Sequence, residues 1–259
     1  MGLSRDSFRR PAKVDPINEA LGSRIVEIAH KRRRFGYRRI HDLLQGEYPG
    51  TNHKRVYRLY RAANLAVRKR RKARRCGAER VPLAPASAIN EVWSIDFVHD
   101  SLANGRKLKA LTAVDDFSRE CVDLAVDHGI SGAYVTRILD RAALFRGYPK
   151  AIRTDGGPEF TSRAFLGWTI KHGIEHRLIE PGQPTQNAYI ESFNGRLRDE
   201  CLNDHWFTSL PQARQILTDW RRDYNEHRPH SSIGRIPPAQ FAERHRRHAA
   251  DAANQTAGS

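Results

Sequence analysis

The chain is poor in the features that mark secreted, lipid-anchored and membrane proteins. Its 259 residues hold three cysteines, Cys76, Cys121 and Cys201, and a single methionine. Three scattered thiols with no C-x-x-C pair exclude a disulfide framework and a cysteine-rich zinc site. No apolar run approaches the ~18 residues needed to cross a bilayer. The amino terminus lacks the apolar core of a signal peptide, and Asp6 stands where a myristoylation motif needs Ser or Thr. These absences predict a reducing, cytosolic setting with no membrane partner. What remains, 39% hydrophobic and 29% charged residues at a mean hydropathy of -0.68, describes a globular chain able to bury a proper core.

The charge is unevenly spread. Residues 1–80 carry 23 Lys and Arg against 7 Asp and Glu, the whole net charge of +16, whereas the rest of the chain carries 22 of each. A surplus this concentrated predicts a surface for a polyanion, most simply nucleic acid. Its densest part, Arg68-Lys69-Arg70-Arg71-Lys72-Ala73-Arg74-Arg75, must repel itself until phosphates neutralise it. If six to eight of these cations contact phosphates, the logarithm of affinity should fall with the logarithm of salt at a slope of roughly −5 to −7.

Periodicity divides the chain. Ile17, Leu21, Ile25, Ile28 and Ala29, then Ile40, Leu43 and Leu44, then Val56, Leu59 and Tyr60 recur at helical spacing and predict three short helices, the third capped by Thr51 or Asn52. Lys54, Arg55, Arg58 and Arg61 on that third helix fit a helix-turn-helix recognition helix, and a small bundle with a basic face fits equally well. Residues 1–80 thus form a basic helical, helix-turn-helix-like DNA-binding region, and the Pro- and Ala-rich residues 81–88 a linker. Beyond it the texture becomes α/β. Strands are expected at 92–98, 107–114 and 121–126, with Asn104-Gly105 as a tight hairpin turn, then a helix at 132–146, a strand at 151–153, a helix at 161–172, a strand at 175–179 and a long helix from 187. Consecutive strands followed by alternation imply a mixed sheet with helices on its faces. Trp93, Trp168, Trp206 and Trp220 are expected in cores.

Three acids stand out. Asp96 interrupts an apolar strand between Ile95 and Phe97, where a charge costs several kcal/mol unless it is paired or binds a cation. Asp155 ends a later strand ahead of Gly156-Gly157-Pro158, at the edge where open α/β sheets place ligands. Glu191 lies on the long helix, where Asn187, Glu191, Asn194 and Arg198 fall within about 60° of one another at 100° per residue. Singly, each acid could be a helix cap or an ion-pair partner, and the polar stripe could be a solvated face. Asp115 and Asp116 read as turn formers through Asx-type hydrogen bonds, Glu159 as a group within reach of Asp155, and His99, His172 and His176 as surface or interior side chains, since no two have zinc spacing.

Thirty-five residues separate Asp155 from Glu191, and Arg198 follows Glu191 by seven. This pattern resembles the D-D-E superfamily of transposases and retroviral integrases. More closely, Trp93-Ser94-Ile95-Asp96, Val114-Asp115-Asp116-Phe117-Ser118-Arg119, Arg153-Thr154-Asp155-Gly156-Gly157-Pro158-Glu159-Phe160, Asn187-Ala188-Tyr189-Ile190-Glu191-Ser192-Phe193 and Tyr224-Asn225-Glu226-His227-Arg228-Pro229-His230 resemble the OrfB-type transposase of bacterial insertion sequences with two reading frames. The similarity runs from about residue 20 to residue 241. It implies an RNase H-like core with a five-stranded mixed sheet over residues 89–205, a helical extension over 206–245 and a flexible tail over 246–259. It maps the catalytic triad onto Asp96, Asp155 and Glu191, with Arg198 as the associated basic residue. The zinc module of two His and two Cys found at the front of retroviral integrases is lacking, which favours the transposase branch. The resemblance also implies a bacterial, nucleoid-associated protein that oligomerises on double-stranded DNA, at element ends and target, and depends on a small helix-turn-helix protein from the upstream frame.

Three carboxylates suit two-metal phosphodiester chemistry with Mg²⁺, for which Mn²⁺ could substitute: Asp96 would bridge two ions, Asp155 hold one and Glu191 the other. Asn187, Asn194 and Arg198 would then lie along the DNA backbone, with Lys54, Arg55, Arg58, Arg61, Arg68, Lys69, Arg70 and Arg71 as further DNA contacts. Water would cut to expose a 3′-OH, and that hydroxyl would attack a second phosphodiester. Two other readings stand beside this one, a DNA-binding regulator with a catalytically inactive core and a nuclease that cuts without joining.

Overall fold

The computed structural model describes residues 15–67, 85–179 and 187–257. The chain divides into two compact units, Met1–Arg74 and Arg75–Ser259. Arg68, Lys69, Arg70 and Arg71 lie outside the described residues.

Among the described residues of the first unit three helices form, α1 (Pro16–Lys31), α2 (Tyr37–Leu44) and α3 (His53–Ala62). Asp15 starts α1 by accepting the Ile17 N–H, and Pro16 follows at the one place where a missing N–H costs nothing. Asn52, the second of the two candidate caps, starts α3 by accepting the Lys54 N–H. Leu21, Ile25 and Ile28 of α1, Ile40 and Leu44 of α2, and Val56 and Tyr60 of α3 close on one another with Phe35. Ile17, counted in the apolar stripe, is instead 59% exposed in the first turn of α1. Arg24 grips Glu47 with two hydrogen bonds of 2.8 and 2.6 Å, joining α1 to the segment after α2.

The second unit is built on a five-stranded sheet. Strands β1 (Val92–Ser101), β2 (Lys107–Asp115) and β3 (Cys121–Asp127) run antiparallel, while β4 (Ala151–Thr154) and β5 (Glu175–Leu178) add in parallel on the other side of β1, giving the order β3-β2-β1-β4-β5. Every expected strand is present within a few residues. The turn expected at Asn104-Gly105 is present, and it closes on three residues rather than the two that an Asn-Gly pair favours. Leu102 donates to the Arg106 carbonyl and Gly105 to the Leu102 carbonyl, so Ala103, Asn104 and Gly105 form a three-residue loop with Gly105 at φ +82°. That arrangement is a β-turn closed by a left-handed residue, which only glycine adopts without strain. The extra residue shifts the ladder by one, placing Thr112 opposite Asp96; a one-residue slip exchanges the faces of a strand.

Alternation along the strands fills two cores. Trp93, Ile95, Leu111, Ala113 and Val122 pack under α4 (Gly132–Arg146) and α5 (Arg163–Lys171). Val98, Leu108, Ala110, Val114 and Leu124 pack under α6 (Ala188–Glu200) and α7 (Leu210–Glu226). Arg221 and Asn225 of α7 hydrogen-bond the backbone of Cys121 and Val122, fastening the helical extension to edge strand β3. Helix α8 (Pro238–Ala257) continues through residues expected as a flexible tail, whose alanines are good helix formers. Trp93 and Trp168 are buried and Trp220 packs against the α6–α7 core, but Trp206 is 78% exposed. It falls between α6 and α7, outside either helical stripe.

Candidate active site

The ladder brings the two aspartates together. Ser94 of β1 pairs with Arg153 of β4 at the end of their parallel ladder; Asp96 stands two residues further along β1, and Asp155 two residues further along the chain, just past the end of β4. Residues of equal parity on paired parallel strands share a face, here the face that α6 covers. Glu191 lies in the first turn of α6 and, like Asp155, is exposed, whereas Asp96 is half-buried.

Asp96 is the electrostatic centre of the arrangement. Burial pushes its carboxyl above the ordinary aspartate value, the Phe97 N–H opposes that, and the charges of Asp155 and Glu191 raise it further. One oxygen accepts the Phe97 N–H at 2.7 Å and the other accepts the Asn194 amide at 2.8 Å. Because an ionised carboxylate only accepts, Asn194 must turn its NH₂ to Asp96 and its oxygen away. That oxygen takes the hydroxyl of fully buried Thr112 at 2.9 Å. Thr112 thus fixes Asn194, and Asn194 fixes Asp96.

Asp155 accepts the Gly157 N–H at 3.1 Å. A methyl on Gly157 would stand 3.0 Å from the Asp155 carboxylate and 3.5 Å from that of Glu159, so the glycine leaves room for both acids. Glu159 pairs with Lys109 of β2, whose ammonium also lies 3.8 Å from the centre of the Phe97 ring. Burial would raise the Glu159 carboxyl, and Lys109 overcomes this, leaving it below the usual range. Phe97 stacks on Phe160 at 5.1 Å, so the loop bearing Asp155 is clamped to β1 and β2.

The remaining candidate residues divide. Asn187, expected on a stripe facing DNA, is buried at the start of α6 without capping it, and Asn194 of the same stripe is spent on Asp96. Arg198 is exposed and donates to the His99 carbonyl at 3.2 Å. On α3, Lys54, Arg58 and Arg61 are exposed, with Arg61 6.0 Å from the Tyr57 ring. Arg55 is engaged internally, bonding Asn18 at 2.7 Å and Asp15 at 3.0 Å. Asp115 forms the expected Asx turn, accepting from Phe117 N, Ser118 N and the Ser118 hydroxyl. Asp116 does not: it is buried, 2.5 Å from Arg153 and 2.7 Å from the Ser94 hydroxyl. Thr112 and Lys109 carried no signal in the sequence, since what they meet depends on a strand register that periodicity alone does not give.

The donor set is all oxygen. Among the described residues no three His, Cys, Asp or Glu side chains are spaced to hold one ion. The charges of Asp155 and Glu191 both raise the carboxyl of half-buried Asp96, and a hard divalent cation, which takes oxygen ligands, would offset that repulsion.

Comparison with known proteins bears on both units. Residues 16–73 match the HTH-like domain, and residues 86–184 and 172–238 match two families described as Integrase core domain. The chain is 67% identical over 245 residues to the 39.2 kDa protein of insertion element IS476 from Xanthomonas euvesicatoria, covering 95% of this chain and 71% of that one. It is 61% identical over 246 residues to the 31.7 kDa protein of insertion element IS407 from Burkholderia multivorans, covering 95% and 89%. With the putative transposase InsK of IS150 from Escherichia coli it shares 29% over 230 residues, 84% and 81% of the two chains. Among solved structures, a chain of the simian T-cell lymphotropic virus intasome aligns with a TM-score of 0.57 at 17% identity, covering 84% of this chain and 74% of that one. The HTLV-2 integrase catalytic core domain in complex with magnesium aligns with 0.51 at 20%, covering 60% and 98%. The expected RNase H-like sheet is therefore the fold present.

Proposed function

The chain belongs to the insertion-sequence transposases that carry an integrase core, and on that premise we propose that Asp96, Asp155 and Glu191 are its catalytic acids. One observation carries this reading: acids distant in the sequence act electrostatically on one half-buried carboxylate, on the face of the sheet that the helix bearing Glu191 covers.

The reaction exchanges phosphodiester bonds. Water attacks the phosphorus at the element end, the P–O3′ bond breaks, and the strand is released with a 3′-OH. That hydroxyl then attacks a target phosphodiester; one P–O bond forms as another breaks, and a target 3′-OH leaves. Asp96, Asp155 and Glu191 would hold divalent metal, Mg²⁺ with Mn²⁺ as substitute. When bound, such metal would supply charge to neutralise the phosphate and to lower the pKa of the attacking oxygen. The residues of this chain hold the geometry: Asn194 keeps the Asp96 carboxylate turned to the site, the Lys109–Glu159 clamp holds the loop of Asp155, and Arg198 offers a cation beside the end of β1. The first unit supplies phosphate contacts through Lys54, Arg58 and Arg61. Two element ends and a target must be held together, so the working form proposed is an oligomer on DNA, aided by a small helix-turn-helix protein of the upstream frame.

The test uses a duplex carrying the terminal sequence of the chain's own element. Asp155→Asn and Glu191→Gln should each lose 3′ nicking and strand transfer while retaining DNA binding. Wild-type rates in either variant would refute the assignment.

A further inference from the structure

We propose that the turn between β2 and β3, through Asp116 and Arg119, positions the elements that carry the three acids, gripping each of them two residues before its acid. This inference rests on the catalytic reading of Asp96, Asp155 and Glu191. Ser94, two before Asp96, donates its hydroxyl to Asp116 at 2.7 Å. Arg153, two before Asp155, donates to the other oxygen of Asp116 at 2.5 Å. Tyr189, two before Glu191, lies under the Arg119 guanidinium, whose carbon is 3.5 Å from the ring centre.

The turn is built to hold still. Asp115 accepts three hydrogen bonds from Phe117 and Ser118 with one oxygen and the Asn90 N–H with the other. Asp116 N donates to the Val92 carbonyl, and Arg119 N to that of Asp115. Arg119 itself has φ +65°, a left-handed conformation that a side chain of this size rarely adopts and that tends to persist where function demands it. One of its terminal nitrogens is buried without a hydrogen-bond partner. Helix α8 braces the turn from outside: Phe117 meets Phe241 at 5.4 Å and His245 at 5.0 Å, and Arg246 reaches Glu120 at 3.0 Å.

The three grips are not equivalent. β1 and β4 are already aligned by their ladder, so Asp116 adds to a register the backbone has set. Helix α6 belongs to no ladder, and Asn187 at its start makes no side-chain cap. Its first turn, the one carrying Glu191, is anchored on its inner side by buried Ile190, and on the outside the contact between Arg119 and Tyr189, a cation over an aromatic face, restrains it. Arg119 and Tyr189 are thus positioning residues: they set where the Glu191 carboxylate stands relative to Asp96 without touching DNA or ion.

The test needs variants that keep the fold. Tyr189→Phe keeps the ring face and Tyr189→Leu removes it at a partly exposed position; Arg119→Asn removes the cation with a residue tolerant of left-handed backbone. Binding of Mn²⁺ to the full chain, read from the electron spin resonance of the free ion, should weaken at least tenfold in Tyr189→Leu and Arg119→Asn and stay within twofold of wild type in Tyr189→Phe. At limiting ion, nicking of the element-end duplex should fall at least tenfold in kcat with KM for DNA unchanged, and recover as the ion is raised. Wild-type ion affinity in Tyr189→Leu, or lost activity that no ion concentration restores, would overturn the proposal. Asp96→Asn serves as the separate control, because wild-type nicking there would sink the catalytic reading itself, whatever Tyr189 does.

Discussion

Replacing Thr112 by Val should weaken both the fold and the reaction, and Thr112→Ser should separate the two effects. The Thr112 hydroxyl is fully buried and lies 2.9 Å from the Asn194 oxygen and 3.1 Å from the Asp96 carbonyl. Val keeps the shape and removes the donor, leaving a partly buried amide oxygen unpaired at a cost of about 1–3 kcal/mol. Roughly 0.8 kcal/mol returns from the added apolar group, so the net loss is about 1–2 kcal/mol, or roughly 2–8 °C in Tm for a unit of this size. Ser keeps the donor and loses a methyl, about 1 kcal/mol and ~2–4 °C. The two variants should therefore melt within a few degrees of each other. Their activities should part. With Thr112→Val the Asn194 amide is free to rotate off Asp96, and a misplacement on the order of 1 Å costs up to ~100-fold in rate; Thr112→Ser should nick at close to the wild-type rate. Calorimetry and single-turnover nicking measure the two quantities, and a cycle with Asn194→Ala should show at least ~1 kcal/mol of coupling. The reasoning fails if Thr112→Val melts and cuts like wild type, or if Thr112→Ser is as inactive as Thr112→Val.

The Asp96 carboxyl titrates above its ordinary value of 3.8, from burial and from Asp155 and Glu191; the folded state thus binds its proton more tightly than the unfolded state, and stability falls as pH rises from that value through the folded one. Asp96→Asn removes that slope, so without divalent ions its Tm should match wild type near pH 3 and exceed it at pH 7, and a lower Tm at pH 7 would contradict the account. In DNA titrations against salt, Lys54→Ala and Arg58→Ala should each reduce the log–log slope by about 1, whereas Arg55→Ala should leave the slope unchanged and, as a partly exposed pair with Asp15, cost only about 0–1 kcal/mol. Burial pushes the thiols of Cys121 and Cys201 up to about 12, so alkylation at pH 8 should spare both until the protein is unfolded; rapid labelling of either in the native state would show that its core opens.

How far the sequence could be read depended on which interactions are local. Strand and helix positions were legible because alternation and helical spacing need only neighbours along the chain, and the boundaries of β2, β3 and α4 fall within a residue of expectation. Asp96 was legible as a candidate because a carboxylate between Ile95 and Phe97 is conspicuous against its surroundings. What periodicity cannot encode is which groups meet across elements. The helical wheel placed Asn194 and Arg198 on one stripe correctly, yet gave no reason to choose between DNA and Asp96 as the partner of Asn194. Likewise the spacing of Arg55 on α3 was right for a groove-reading side chain, while its bonds to Asp15 and Asn18 come from residues some forty positions earlier, at the cap of α1.

The hairpin shows why such misses carry weight at this site in particular. An Asn-Gly pair favours a two-residue turn, and the chain instead closes three residues between Leu102 and Arg106 because Gly105 can take the left-handed position after a β-turn. With the two-residue turn, Asp96 would face Ala113, and no hydroxyl would stand where Asn194 needs one. With three, Thr112 faces Asp96 and the chain from hydroxyl to amide to carboxylate is complete. A single residue in a surface loop, remote from the acids, thus decides whether the Asp96 carboxylate is held or free. Deleting Ala103 should therefore slow nicking more than the small change at an exposed loop would suggest, and a deletion variant that folds and cuts at the wild-type rate would show that the register does not govern the site.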